Sequence, residues 1–242
     1  MESKFKIMKA IYSILFLGII LGFTSCEIDN YAEPDAFLSG QITYEGDPIM
    51  IGFNEVKFQL WQSGFGNEGP IDVHVDQDGS FSARMFSGHY RLKLDEGQGP
   101  FKANFVNEQL GDTILLDLNG DQNINLEVTP YYMIRNSQYN MTGSTSIEAS
   151  TSLEQIITGE DAKDVERVTL YLNSTIFVSS NNDENIARGD ADISDLSNLS
   201  MSVDIPENYT KDYIFARIGV KISGVEDMIY SPVEKLSFTG NL

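Results

Sequence analysis

The sequence predicts an all-β fold, with two tandem β-sandwich domains following a cleaved signal peptide. Three observations predict it. Between Phe37 and Pro130, apolar residues recur at every second position in short segments, the period of strands that bury one face. Gly, Asp, Asn and Pro separate those segments at the places where a chain must turn. Ahead of them, Lys4, Lys6 and Lys9 precede an apolar run from Ala10 to Phe23, the charged and apolar regions of a secretory signal.

The leader comes first. Its apolar run of 14 residues is too short for a spanning helix, which needs about 20, so residues 1–25 are expected to be a cleaved address. Small residues Thr24 and Ser25 then stand before Cys26, the only cysteine of the 242 residues. An exported chain with one cysteine forms no internal disulfide, so the thiol serves another purpose or stays free. Phe23-Thr24-Ser25-Cys26 resembles the lipobox of bacterial lipoproteins, with Phe23 where Leu is usual. That resemblance implies cleavage before Cys26, acylation of its thiol and attachment to a lipid bilayer.

Residues 26–36 are short, polar and acidic (Glu27, Asp29, Glu33, Asp35) with no apolar period, the composition of a tether. Acidic residues directly after the cysteine also resemble the surface-export signal of Bacteroidota lipoproteins. The resemblance implies an outer-membrane protein facing the cell exterior.

The first domain is expected over residues 37–130. Its apolar sets are Leu38/Ile42, Val56/Phe58/Leu60, Ile71/Val73/Val75, Phe81/Ala83, Tyr90/Leu92/Leu94, Phe101/Ala103/Phe105, Ile114/Leu116/Leu118 and Ile124/Leu126/Val128. Eight short strands with no helical period argue a β-sandwich. The pieces Leu38-Ser39-Gly40-Gln41-Ile42, Gly46-Asp47-Pro48-Ile49, Val75-Asp76-Gln77-Asp78-Gly79-Ser80-Phe81 and Phe86-Ser87-Gly88-His89-Tyr90-Arg91-Leu92 resemble, in that order, the carboxypeptidase regulatory-like or prealbumin-like domain. The resemblance implies a tight hairpin in which Gly79 supplies a positive φ, and a following strand with Tyr90 packed inward.

The second domain is expected over residues 131–242. Strands continue at Val168/Leu170/Leu172, Leu199/Met201/Val203/Ile205, Ile214/Ala216/Ile218/Val220/Ile222 and Val233 to Phe238, as in an immunoglobulin-like or fibronectin-like sandwich. In the long run Phe215, Arg217 and Lys221 alternate against the apolar face. Leu153, Ile156 and Ile157 share helical spacing and suggest a short helix within 152–166, and the polar stretch 179–197 suggests one long surface loop. Pro130 marks the join, since it offers no N–H to a continuing central strand. The whole arrangement, with Asp29-Asn30-Tyr31 and Val128-Thr129-Pro130-Tyr131, resembles a two-domain Bacteroidota lipoprotein family of unknown function whose members lie beside SusC/SusD-type glycan-uptake proteins. It implies a SusC/SusD-type partner.

Composition narrows function. The whole chain carries a formal charge of −20, and residues 1–25 contribute +2, leaving −22 after cleavage. A field of that sign repels phosphate backbones, which argues against nucleic acid as a partner, and it also serves solubility. His74 and His89 are the only histidines, both expected on the polar side of their strands, so a nucleophile has few bases to draw on. Catalysis is not expected, although a carboxylate pair among 36 Asp and Glu would make a hydrolase the remote alternative. Zinc would lack ligands. Calcium is the one cofactor left open, with Asp183, Asp190, Asp192 and Asp195 (and Glu184 beside them) as oxygen donors, or the start of a calcium motif at Asp76-Gln77-Asp78-Gly79, for which the hairpin role is the alternative. Asp112-Thr113-Ile114 resembles the short O-glycosylation motif of the phylum, against ordinary strand sequence.

A glycan is held by exposed aromatic rings beside polar groups. The candidates are Trp61, Phe65, Tyr131 and Tyr132. Trp61 follows Leu60, so the alternation points it away from that core, toward solvent or toward the other domain; Tyr131 and Tyr132 have domain packing as the competing role. The sequence thus favours a non-catalytic lipoprotein assisting glycan capture or assembly of an uptake complex. The alternative is a structural or adhesive β-module that binds a protein.

Overall fold

The structure, a computed structural model, describes residues 32–64, 69–95, 97–104, 113–143 and 145–238. Cys26, Phe65 and the expected signal segment lie outside the described residues. Every regular element described is a strand or a single 3-10 turn. No helix among the described residues is long and apolar enough to cross a membrane.

Residues 34–242 form one compact unit. Its first half holds β1 (Ala36–Tyr44), β2 (Asp47–Pro48), β3 (Lys57–Gln62), β4 (Pro70–His74), β5 (Ser80–Met85), β6 (Gly88–Lys93), β7 (Phe101–Ala103), β8 (Thr113–Leu118) and β9 (Gln122–Pro130). One sheet runs β2-β1-β9-β7, with β5 also on β1, and the other runs β4-β3-β6-β8. The apolar faces of the two sheets meet: Leu38, Ile42, Phe81, Leu126 and Val128 from one, Phe58, Leu60, Val73, Leu92 and Leu118 from the other, all buried. The Phe58 and Phe81 rings touch edge to face at 4.8 Å between centroids, a contact of about 0.5–1.5 kcal/mol beyond the area it buries. β1 and β9 run parallel, and Gly40 lets them close: a Cβ there would lie 1.6 Å from the Ile124 oxygen.

Gly79 has φ +80° in the hairpin before β5, as its Asp-Gly step predicts, and Tyr90 is buried with its hydroxyl donating to the Phe86 oxygen at 2.8 Å. Ile49 and Ile51 are also fully buried, outside any strand and outside the alternating sets. The expected tether ends early. Asp35 accepts bonds from the Ser87 N–H and hydroxyl, which hold its carboxyl below the usual range, and Ala36 already begins β1.

The second half holds β10 (Tyr132–Thr142), β11 (Ser146–Gln155), β12 (Val165–Asn173), β13 (Ala187–Asp190), β14 (Leu199–Asp204), β15 (Tyr213–Ile222), β16 (Ile229–Tyr230) and β17 (Glu234–Ser237). A β10-β11-β14 sheet faces a β13-β12-β15-β16 sheet in which β17 also pairs with β15. Such a division of strands is that of immunoglobulin-like and fibronectin-like sandwiches. Among the described residues, strands up to Pro130 pair only with one another, and so do those from Tyr132 onward.

Three expectations in this half are corrected. The helix within 152–166 is absent among the described residues: β11 runs to Gln155 because Ser152–Gln155 complete the ladder with β10, and only a 3-10 turn at Gly159–Asp161 follows. The stretch 179–197 is not one loop. It holds a 3-10 turn, Asn182–Glu184, and the edge strand β13, whose inward positions Ala187 and Gly189 are too small to leave an apolar pattern. Arg217 does not face solvent. It is 1% exposed, because the first half and the segment after β12 cover the outer face of β15.

Candidate functional site

Parity along β3 fixes the direction of Trp61. Phe58 and Leu60 fill the core, so Lys57, Gln59 and Trp61 line the outer face of the β4-β3-β6-β8 sheet. Register then selects the neighbours: Trp61 lies opposite Pro70 on β4 and Arg91 on β6, while Gln59 lies opposite Lys93, which faces Thr113 on β8. Trp61, Arg91, Lys93 and Thr113 border a groove of about 280 Å³. The Trp61 indole N–H donates to Gln59 Oε1 at 3.1 Å and holds the ring along its own strand. Leu115, 65% exposed, continues the row beyond Arg91.

The two cations of the groove differ. Lys93 Nζ meets Asp95 at 2.8 Å. Arg91 has no carboxylate, carbonyl or ring partner among the described residues, so its guanidinium donors are left to solvent or to a ligand. The Thr113 side chain is buried, which removes it from the reach of a glycosylating enzyme in the folded protein.

Of the other expected aromatic residues, the two that are described are packed. Tyr132 is 3% exposed and donates through its hydroxyl to the Lys163 oxygen at 2.8 Å. Tyr131 is 8% exposed under the Lys163 ammonium, 5.6 Å from the ring centroid, at the wall of a larger cleft of about 550 Å³. The cations of that cleft are already engaged, Lys102 with Asp161 at 2.8 Å and Lys163 with the Gly224 oxygen at 3.4 Å. It is therefore a less apt receptor than the smaller groove.

The four aspartates weighed for calcium are not brought together. Asp183 sits in the 3-10 turn at Asn182–Glu184, Asp190 accepts from the Thr169 hydroxyl, Asp192 accepts from the Ser194 N–H, and Asp195 accepts from the Ser197 N–H and hydroxyl, which lower its pKa. The carboxylates of Asp190, Asp192 and Asp195 each close a local turn or pair across a strand. Among the described residues, no group of three or more His, Cys, Asp or Glu is placed to hold a metal. Asp76 and Asp78 likewise serve their hairpin, accepting from the main-chain N–H of Gln77 and Ser80. His89 pairs with Asp117 on an exposed surface.

The strongest electrostatic perturbation lies where the two sandwiches meet. Glu55 is pushed up to about 7 by burial, with Asp227 and Glu184 adding repulsion, and its Oε2 is buried without a hydrogen-bond partner among the described residues. Burial pushes Arg217 down to about 10, still a cation at neutral pH. Arg217 is enclosed by packed side chains, with Glu55 and Asp227 half-buried nearby.

The comparisons with known proteins agree with this architecture. Residues 36–129 match the N-terminal domain of the protein of unknown function DUF3823, and residues 132–235 match the domain of unknown function DUF3823_C. A DUF3823 family protein of Parabacteroides merdae is 34% identical, with 85% of this chain and 100% of that one covered and a TM-score of 0.71. The chain belongs to the DUF3823 family. A second member of the family, from Bacteroides ovatus, is 25% identical over the same shares, with a TM-score of 0.72. A Bacteroides uniformis protein, described as a candidate carbohydrate-binding protein, shares the fold at 19% identity and a TM-score of 0.64, again over 85% and 100%. A search of the curated proteins found no match.

Proposed function

We propose that this family member is a non-catalytic lipoprotein of the outer membrane, anchored through Cys26 and displayed outward, that captures a glycan through the Trp61 groove. One observation carries the reading: the only tryptophan of the chain lies on an outer sheet face beside an arginine that has no ion-pair partner among the described residues, in an open groove rather than in a core. Sugar rings present flat C–H faces that stack on such an indole, and their hydroxyls take hydrogen bonds from flanking polar groups. The fold-mate of Bacteroides uniformis, described as a candidate carbohydrate binder, supports the class of ligand. The lysines, apolar run and lone cysteine of residues 1–26 support the anchor. The non-catalytic reading is supported by the local, structural engagement of the aspartates described above. Delivery to a SusC/SusD-type uptake complex is part of the proposal and rests on the sequence resemblance.

The test is affinity electrophoresis of residues 27–242, which contain the whole compact unit, through gels cast with plant and microbial polysaccharides. Retardation that Trp61→Ala abolishes, with the thermal melt unchanged, is the expected result; migration equal in all gels contradicts glycan capture. For the anchor, the full chain is expected to incorporate labelled fatty acid in a lipoprotein-processing bacterium, and Cys26→Ser to lose it.

A further inference from the structure

The Trp61 groove also indicates the kind of glycan. We infer that its ligand is an acidic polysaccharide, one bearing carboxylate or sulfate groups, and that Arg91 is the residue that reads the negative charge. The inference rests on the proposed glycan function and adds a substrate class to it.

The chain has 36 acidic residues against 16 Lys and Arg, so a surface cation has carboxylates on most sides. Lys57, Lys93, Lys102, Arg135 and Arg167 each have one within ion-pair reach. Arg91, like Arg188 and several lysines, has no carboxylate within ion-pair reach among the described residues; what sets it apart is its place directly across the ladder from Trp61. The position is set by the sheet. Directly opposed residues on one face of an antiparallel pair have Cβ atoms about 4.5–5.5 Å apart, so the two side chains rise from adjoining positions, and both border the groove.

Chemistry then decides between neutral and acidic ligands. A neutral sugar needs the ring and hydroxyl partners but no formal charge. An anionic chain approaching a mature protein of formal charge −22 is repelled at long range and requires a local cation. A guanidinium meets a carboxylate or sulfate with two parallel N–H donors, which fixes orientation as well as charge. Lys93, two residues along β6 on the same face, extends the positive side of the groove by about 7 Å, although Asp95 neutralises part of it.

The experiment is affinity electrophoresis of residues 27–242 in gels of polygalacturonate, of a sulfated galactan and of neutral polysaccharides, comparing wild type, Arg91→Gln and Trp61→Ala. The expected result is retardation of the wild type in at least one acidic gel, with the two acidic gels telling carboxylate from sulfate recognition. Arg91→Gln is expected to weaken that retardation on the order of tenfold, the loss of one charge-assisted bidentate contact, and added salt to weaken the wild type in the same sense. Retardation in neutral gels alone, sensitive to Trp61→Ala and indifferent to Arg91→Gln, overturns the acidic class and leaves glycan capture standing. No retardation in any gel, or retardation that survives both substitutions, overturns both.

Discussion

Arg217 Nη2 donates to the main-chain oxygen of Gln77 at 2.8 Å, joining the two sandwiches across 140 positions of sequence. The same guanidinium donates to the Ser231 oxygen at 2.8 Å and the Val178 oxygen at 3.3 Å, and lies 4.5 Å from the centre of the Tyr230 ring. Around it, the Tyr230 N–H donates to the Met50 oxygen and the Gly99 N–H to Asp227. Arg217→Met is therefore expected to leave several buried carbonyls unsatisfied and to lower stability by about 2–4 kcal/mol. Urea unfolding followed at two probes, Trp61 fluorescence for the first sandwich and far-ultraviolet dichroism for the whole, checks this. Wild type is expected to unfold in one transition, and the variant in two.

Glu55 predicts a pH dependence of the opposite sign to that of a salt-bridged carboxylate. Between 4.5 and about 7, the folded protein holds a proton that the unfolded chain has released. Stability from this group is thus fully present below pH 4.5, falls as pH rises through that window, and is level above it. Glu55→Gln is expected to flatten the fall and to stabilise the protein at pH 8 by about 1–2 kcal/mol, a value reduced for the part of the group that water still reaches, with no gain at pH 4. Asp227, also raised by burial, keeps a smaller fall in the variant. Thermal melts of both proteins from pH 4 to 8 test the sign.

Two glycines carry steric predictions. At Gly40 an added methyl would overlap the Ile124 oxygen across the parallel β1–β9 ladder, and a main-chain atom in the middle of a sheet has no room to retreat. Gly40→Ala is expected to destabilise by about 3 kcal/mol or more. Gly79→Ala combines φ +80° with a contact of 2.5 Å to the Ile49 oxygen, and about 1–3 kcal/mol is expected. Ala at Gly120, also at positive φ but in open space, provides the comparison: only the backbone preference remains there, about 1 kcal/mol. Denaturation midpoints of the three variants rank them.

Much of the fold was legible because a half-buried strand writes its period into the sequence. The sets from Val56/Phe58/Leu60 through Leu126/Val128 do so, and the Asp78-Gly79 step writes its turn chemistry as plainly. The direction of Trp61 followed from Leu60 alone. What could not be read was whatever depends on a second layer. Arg217 sits in a strand buried on both faces, where alternation still shows but no longer means exposure. Ile49 and Ile51 are buried from a loop, which has no period to recognise. β13 is an edge strand of four residues whose inward positions are Ala and Gly. Arg91 was missed as a site residue because its place beside Trp61 depends on the β3–β6 register, and the length of the intervening chain does not reveal which residues stand opposite. The aspartates of 183–195 misled in the other direction: closeness in sequence suggested a cluster, while Asp190, Asp192 and Asp195 are each engaged with their own turn or strand.

Trp61 is the only tryptophan, so emission excited at the red edge, where the 11 tyrosines absorb negligibly, reports on the groove. Titrating residues 27–242 with the polysaccharide that retards them most is the most direct measurement of the central claim. A saturable change in emission intensity or wavelength is expected, with an apparent affinity matching that from the gels. An emission spectrum that stays constant while the protein is fully retarded would place the ligand elsewhere and contradict that claim.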